Sequence, residues 1–281
     1  MPRPDRFGPC TLIEVGHQKL LVDVGRGATI RLYQLGVPLG SIGVLLLTHY
    51  HSDHTVGIPD LWLTGSLQSH FAGRASPLRV IGPSGAKALM SHLERAYALD
   101  IRIRLDDEKL PAAGATLDVV EFATEGTVYE KDGLKVIAFE VDHGAAIKPA
   151  YGYRFEYGGR VVVISGDTRY CENVVKFGTG ADLLIHEVAM VRPDLASQPF
   201  VQRIIAHHTS AREAGMVFER AQPKMAAFTH LVFPAVEQIS PALLHELIAQ
   251  TRSTYPGPLV VGKDLTSFDI GETILVRRRV S

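Results

Sequence analysis

Five short apolar runs in this chain each lead into a histidine or an aspartate, and that recurrence limits the folds open to it. Val44–Leu47 runs into His49-Tyr50-His51-Ser52-Asp53-His54. Val136–Val141 is followed by Asp142-His143-Gly144 and Val161–Ser165 by Gly166-Asp167-Thr168. Asp182–Ile185 leads to His186-Glu187, and Met225–Thr229 to His230. Apolar runs of this length bounded by turn residues predict buried strands. Polar groups delivered at strand ends are how a rigid scaffold carries a site. One histidine in such a place reads as structural; five strand ends do not.

The spacing within His49-x-His51-x-Asp53-His54 has a directional reason. Side chains at i and i+2 of an extended segment point the same way, so His49 and His51 can reach one metal ion. The chain then turns toward a helix, which redirects Asp53 and His54 to a second. Imidazole plus carboxylate is the donor set that zinc and related metals favour, and a site with an open position keeps a reactive water.

Around these motifs the pattern is strand-rich, then alternating. Thr11–Val15 and Lys19–Val24 predict a hairpin around Gly16-His17-Gln18, and helices are expected over Ile58–Ser69 and Ser84–Leu99, the latter capped by Ser84. Ala115–Phe122 and Leu134–Val141 read as strands. Tyr151–Tyr157 and Arg160–Ser165 are joined by the Gly158-Gly159 turn. Thr209–Ala221 and Pro241–Thr251 read as helices, Pro258–Val261 as a late strand. No repeat, low-complexity tract or linker interrupts the 281 residues, so a single α/β domain over 1–281 is expected.

Composition removes several alternatives. A formal net charge of −1 with scattered Lys and Arg offers no basic footprint for nucleic acid; the run Arg277-Arg278-Arg279 reads as a solvated tail. Two cysteines, Cys10 and Cys171, build no disulfide framework and suit a reducing cytoplasm. No apolar run approaches the roughly 20 residues that span a bilayer, and Met1–Arg6 lacks the apolar core of a signal peptide.

The order of motifs resembles the metallo-β-lactamase superfamily, within it the branch of ribonuclease Z and the metallo-β-lactamase-type arylsulfatases. The matching pieces are Leu21–Gly25, Thr48–His54, Asp142–Gly144, Tyr151–Arg154, Ser165–Arg169, Ala181–Glu187, His208–Ser210, Phe228–His230 and Val260–Asp264. The resemblance implies an αββα sandwich of two mixed sheets with helices outside. It implies two divalent metals per chain, zinc first and manganese or iron as substitutes. His49, His51 and His143 would hold one, Asp53, His54 and His230 the other, with Asp167 shared. Its mechanism is attack by a hydroxide held between the metals on a phosphorus, sulfur or carbonyl centre. Asp53 would also accept a proton, His208 would protonate the leaving group, and Glu187 would orient His208 or serve structure. A homodimer follows from family habit.

Two departures shape the expected substrate. Ribonuclease Z usually carries a long arm before the Gly-Asp-Thr segment, and here only Gly158-Gly159 interrupts that stretch. The family also normally starts with a strand bearing a Gly-Thr-Gly-like turn, whereas this chain opens in what would be the next loop, so the expectation is either a truncated N-terminus or an absent first strand. The missing arm and the neutral charge favour a small-molecule ester (an aryl sulfate, a phosphodiester or a related phosphoester) over nucleic acid. A tRNA 3′ endonuclease without the arm, a lactone or β-lactam hydrolase, and a non-catalytic metal-binding regulator stay open. Of the other histidines, His17, His70, His92, His207 and His245 read as structural and His186 as a residue that steadies a ligand. Asp23 and Asp264 fit capping or ligand-orienting roles. Trp62, Phe200 and Phe233 fit a pocket wall or the core.

Overall fold

The computed structural model describes residue 3 and residues 5–278; Arg279 of the basic run, and Met1, Pro2 and Pro4 of the opening segment, lie outside the described residues. The chain divides into two compact units, one up to Ala123 and one from Thr124.

The first unit is built on a five-stranded sheet, β1 (Thr11–Val15), β2 (Gln18–Val22), β3 (Val44–Leu46), β4 (Leu78–Pro83) and β5 (Leu117–Phe122), paired in that order. β1 and β2 form the expected antiparallel hairpin, and the other pairings are parallel. Parallel pairing requires crossovers. These carry α1 (Ala28–Leu35), the one-turn α2 (Ser52–Thr55), and α3 (Ala86–Ala96) with α4 (Ala98–Asp106). Leu21, Leu45, Leu47, Ile58, Leu61, Trp62 and Val80 make the core, so Trp62 is core, its Nε1 donating to the Ala115 carbonyl at 3.2 Å.

The helix expected over Ile58–Ser69 is shorter, and Asp60–Thr64 is a π-helical turn in which Thr64 donates to the Asp60 carboxylate at 2.8 Å. Ser84 is not the cap of α3. Gly85, at φ 109°, takes that place, and Glu121 on β5 supplies the missing acceptor to the Gly85 and Lys87 N–H groups at 3.0 Å each. A cap delivered from 34 residues away leaves no local signal.

The second unit holds a seven-stranded sheet in the order β12-β11-β10-β9-β8-β7-β6. β6 (Gly126–Lys131), which sequence reasoning missed, β7 (Leu134–Glu140), β8 (Tyr151–Tyr157) and β9 (Arg160–Ile164) are antiparallel neighbours. β10 (Leu183–Ala189), β11 (Met225–Val232) and β12 (Leu259–Val261) continue parallel to β9. The crossovers hold α5 (Glu172–Gly178), α6 (Pro199–Ile205), α7 (Ala211–Ala221) and α8 (Pro241–Arg252). A separate hairpin of β13 (Thr266–Ile270) and β14 (Ile274–Arg278) follows. Ser210 and Glu213 close a reciprocal capping box on α7. Phe139, Val163, Leu184, Phe218, Phe228 and Phe233 lie in the core, which removes Phe233 from the pocket candidates.

Strand direction places the functional segments. β7 runs with β9, since each is antiparallel to β8. The C-terminal ends of β7, β9, β10 and β11 therefore share one edge of the seven-stranded sheet. The C-terminal ends of β2 and β3 share one edge of the five-stranded sheet. Both edges are where open α/β sheets carry ligands. Among the described residues no helix is long and apolar enough to cross a membrane, and Cys10 and Cys171 are free thiols.

Arg74 is a buried cation of the first unit. Its guanidinium donates to the carbonyls of Ile42 and Leu39, and burial pulls its pKa down to about 10. Arg74→Met removes donors from two carbonyls that burial keeps from water. We expect a loss of about 2–4 kcal/mol, read as a lower urea midpoint at unchanged m-value.

Candidate metal centre

In the first unit the segment after β3 is held open by its neighbours. Val24 N–H donates to the His54 carbonyl and Gly57 N–H to the Val24 carbonyl, both at 2.9 Å. A Cβ on Gly25 would stand 2.4 Å from the Asp53 carbonyl oxygen, and one on Gly57 would stand 2.7 Å from the Val24 oxygen. Only glycine lets these two strand-end loops approach so closely.

The carboxylate of Asp23, whose φ is 57°, organises the donors. Its Oδ1 accepts from Thr48 N at 2.9 Å; its Oδ2 accepts from Thr48 Oγ1 and His54 Nδ1, both at 2.7 Å. Thr48 has given its one hydroxyl proton to Asp23, so at 3.0 Å it accepts from His49 Nδ1. Both His49 and His54 then present Nε2 as the lone-pair nitrogen. His49 Nε2 lies 3.0 Å from His51 Nδ1, and ligand atoms of Asp53 and His54 lie within 4.8 Å of one another. Tyr50 points away, its hydroxyl donating to the Pro83 carbonyl.

In the second unit His143, Asp167 and His230, with the pair His208 and Glu187, lie at the edge of the seven-stranded sheet. His143 Nε2 is 3.8 Å and His230 Nε2 3.2 Å from the same oxygen, Oδ2 of Asp167. His143 Nδ1 donates to the His207 carbonyl at 2.7 Å, which fixes its tautomer. His207 therefore contributes through its backbone, a role that residue type does not announce. His230 owes its aim to a bulge. Between the pairs His186↔Phe228 and Val188↔Leu231 the β11 strand carries one extra residue, and His230 takes φ 42° there.

Glu187 is buried beside this group. Its Oε1 accepts from Thr209 N at 2.9 Å and Thr168 N at 3.4 Å, and its Oε2 lies 3.3 Å from His208 Nδ1. The carboxylate thus ties the turn carrying Asp167 to the turn carrying His208. His186, next in the strand, faces the opposite way. It packs edge-on to Phe218, its Nδ1 meets the Glu187 carbonyl, and burial holds its pKa below the usual histidine range. It is a core residue.

Ligand nitrogens around one tetrahedral zinc stand roughly 3.3 Å apart when Zn–N is about 2.0–2.1 Å. The separations of 3.0, 3.2 and 3.8 Å within the two half-sets scatter around that spacing. Imidazoles with one nitrogen held and the other offered, together with carboxylates, fit a divalent cation. Asp23→Asn keeps an acceptor for Thr48 but loses the charge facing His54. We expect divalent-metal affinity to fall about 10–100-fold, measured by competition against a chelator.

The comparisons agree with this chemistry. The model of the family described as the beta-lactamase superfamily domain matches residues 20–231. A protein named Ribonuclease Z from Mycobacterium bovis (strain BCG / Pasteur 1173P2) is 34% identical over 273 residues, 96% of this chain and 94% of the relative. The metallo-beta-lactamase fold protein YhfI of Bacillus subtilis superposes with a TM-score of 0.71 at 21% identity, covering 94% of this chain and 92% of its own. The short form of human tRNase Z superposes at 0.66 and 22% identity, covering 85% and 93%. The fold is therefore the metallo-β-lactamase fold, and the chain belongs to the ribonuclease Z branch of the metallo-β-lactamase superfamily of metal-dependent hydrolases.

Proposed function

We propose that this protein is an endoribonuclease that cuts one phosphodiester to mature the 3′ end of tRNA. The observation that carries this reading is the end-to-end likeness to a protein named Ribonuclease Z. It displaces the small-ester substrate expected above, and the reason lies in the arm. A 273-residue alignment that spans 96% of this chain leaves no room within it for a long insertion in the relative. The tight Gly158-Gly159 turn is thus no mark against an RNA substrate.

In this reading residues 1–281 act as a single hydrolase domain. His49, His51 and His143 would hold one divalent cation and Asp53, His54 and His230 a second, with Asp167 able to serve either. Zinc suits a set this rich in imidazole, while the carboxylates also suit manganese or iron. When bound, the cations supply Lewis acidity toward the phosphoryl oxygens and an acidified water at neutral pH.

The chain's own residues do the rest. Asp53, half-buried on the first turn of α2, accepts the proton released by the attacking water. His208 gives a proton to the departing oxygen, a task imidazole suits near neutrality. Glu187, fixed by two backbone N–H groups, keeps the His208 ring in place. The free thiols fit a reducing cytoplasm, and the family's dimeric habit is retained.

Metal-loaded protein incubated with precursor tRNA is expected to release one 3′ trailer by a single cut, and His51→Ala to release none. No cut by wild type, with an aryl phosphodiester or aryl sulfate still turned over, would return the substrate to small esters. The acid role has its own test. His208→Ala should slow cleavage of RNA, whose leaving oxygen is poor, by about 10²–10⁴-fold. A p-nitrophenyl diester, whose leaving group needs no proton, should lose far less. Equal losses would remove His208 as the acid.

A further inference from the structure

Arg169 closes the Ser165–Arg169 motif, and nothing in the mechanism above uses it. It stands two residues beyond Asp167, with its side chain 47% exposed. Asp142, directly before His143, lies against it. Arg169 N donates to the Asp142 carbonyl at 2.7 Å, Asp142 N–H donates to Thr168 Oγ1 at 3.2 Å, and Thr168 Oγ1 lies 3.3 Å from the Asp142 carbonyl. These bonds already join the loop after β7 to the loop after β9. The Asp142 carboxylate adds a separate contact: its Oδ1 accepts from Gly144 N at 3.0 Å, and its Oδ2 accepts from Arg169 Nη2.

A half-exposed ion pair contributes little to stability, and the backbone bonds make it redundant as a clasp. What the pair does is aim the guanidinium. One nitrogen is held by a carboxylate that is itself anchored to Gly144. Among the described residues no group bonds Arg169 Nε or Nη1. Lys148, exposed on the same loop as His143, adds a second positive charge near Asp142. One carboxylate thus faces two cations beside the edge where His143 and Asp167 meet.

We propose that Arg169, aimed by Asp142, grips a phosphate of the RNA next to the one being cut. This rests on the endoribonuclease reading above. With one Nη2 hydrogen given to Asp142, the planar guanidinium keeps one two-donor edge, Nη2 with Nε or with Nη1, that matches two phosphate oxygens. A polyphosphodiester offers such a neighbouring group, and a small ester with one phosphate does not. Asp142 is a positioning residue in this arrangement, since it acts through Arg169.

The test compares metal-loaded wild type, R169Q, R169K and D142N on two substrates. Affinity for a fluorescent precursor tRNA is measured by anisotropy over a salt series, and turnover of bis(p-nitrophenyl) phosphate is measured alongside. R169Q should weaken RNA binding roughly tenfold or more and make the log–log salt slope shallower by about one. Its loss on the aryl diester should be smaller by about that same factor. R169K should recover the salt slope but only part of the affinity, because an ammonium presents no fork. D142N should weaken binding less than R169Q at an unchanged slope. Equal losses of R169Q on both substrates, or RNA affinity equal to wild type, would overturn the proposal. Wild type that binds this RNA without cutting it would sink the processing reading and leave the Arg169 contact standing; wild type that does not bind it would end both.

Discussion

An imidazole is aimed as a metal donor when its other nitrogen is held, and most of this site's construction answers to that constraint. His54 is held by Asp23, His49 by Thr48, and His143 by the carbonyl of His207. Each holder is buried or is main chain, so the bonds are formed on folding and do not compete with water. The result is a set of lone pairs already aimed. That preorganisation is what second partners contribute to metal sites generally. Asp23 takes the largest share, since one carboxylate settles a ring directly and, through the Thr48 hydroxyl proton, settles another.

The backbone makes comparable concessions. Asp23 and His230 both sit at positive φ, a region that costs a side-chain-bearing residue stability unless its surroundings impose it. At Asp23 the imposing bonds are those to Thr48 and His54. At His230 it is the β11 bulge, which spends an extra residue opposite Glu187 so that the imidazole leaves the plane of the sheet. Gly25 and Gly57 complete the picture, because their missing side chains let the loops after β2 and β3 touch through backbone. A Cβ at either place would overlap a carbonyl oxygen.

Much of this was legible in the sequence because it follows from period and chemistry. Apolar runs ending in His or Asp predicted β3, β9, β10 and β11, and the Gly158-Gly159 turn predicted the β8–β9 hairpin, β9 ending one residue early at Ile164. Of the seven expected donors, His49 and His51 follow β3, and His143 and Asp167 follow β7 and β9, whereas Asp53 and His54 lie on α2 and His230 lies inside β11 rather than after its end. What stayed hidden depends on partners distant in sequence. Glu121 caps α3 from another strand, so Ser84 looked like the better cap. β6 alternates weakly, with Tyr129 its one buried residue, and carries no clear period. The π-helical turn at Asp60–Thr64 has no compositional mark. His207 contributes a carbonyl, which every residue owns. Glu187 could be suspected from its motif, but its grip on Thr168 and Thr209 is a matter of placement alone.

Net charge is a weak argument against a nucleic-acid substrate, for a physical reason. A sum of 29 basic and 30 acidic residues says nothing of where the charges neutralise one another. Many do so locally: Arg79 with Asp118, Arg104 with Asp100 and Glu108, Arg220 with Glu172, Arg277 with Asp269. Fields from such pairs fade within a Debye length of about 8–10 Å, so they neither attract nor repel a nucleic acid elsewhere on the surface. A phosphate bound at the metal centre meets the local balance instead. There Arg169 and Lys148 bring positive charge, any metal held by the donor set would add to it, and the carboxylates of Asp23, Asp142 and Glu187 are engaged in hydrogen bonds. A chain near neutrality can therefore hold a polyanion at one edge, provided the surrounding charges are paired off. Affinity for RNA should then be carried by few contacts and fall less steeply with salt than that of a protein with a broad basic face.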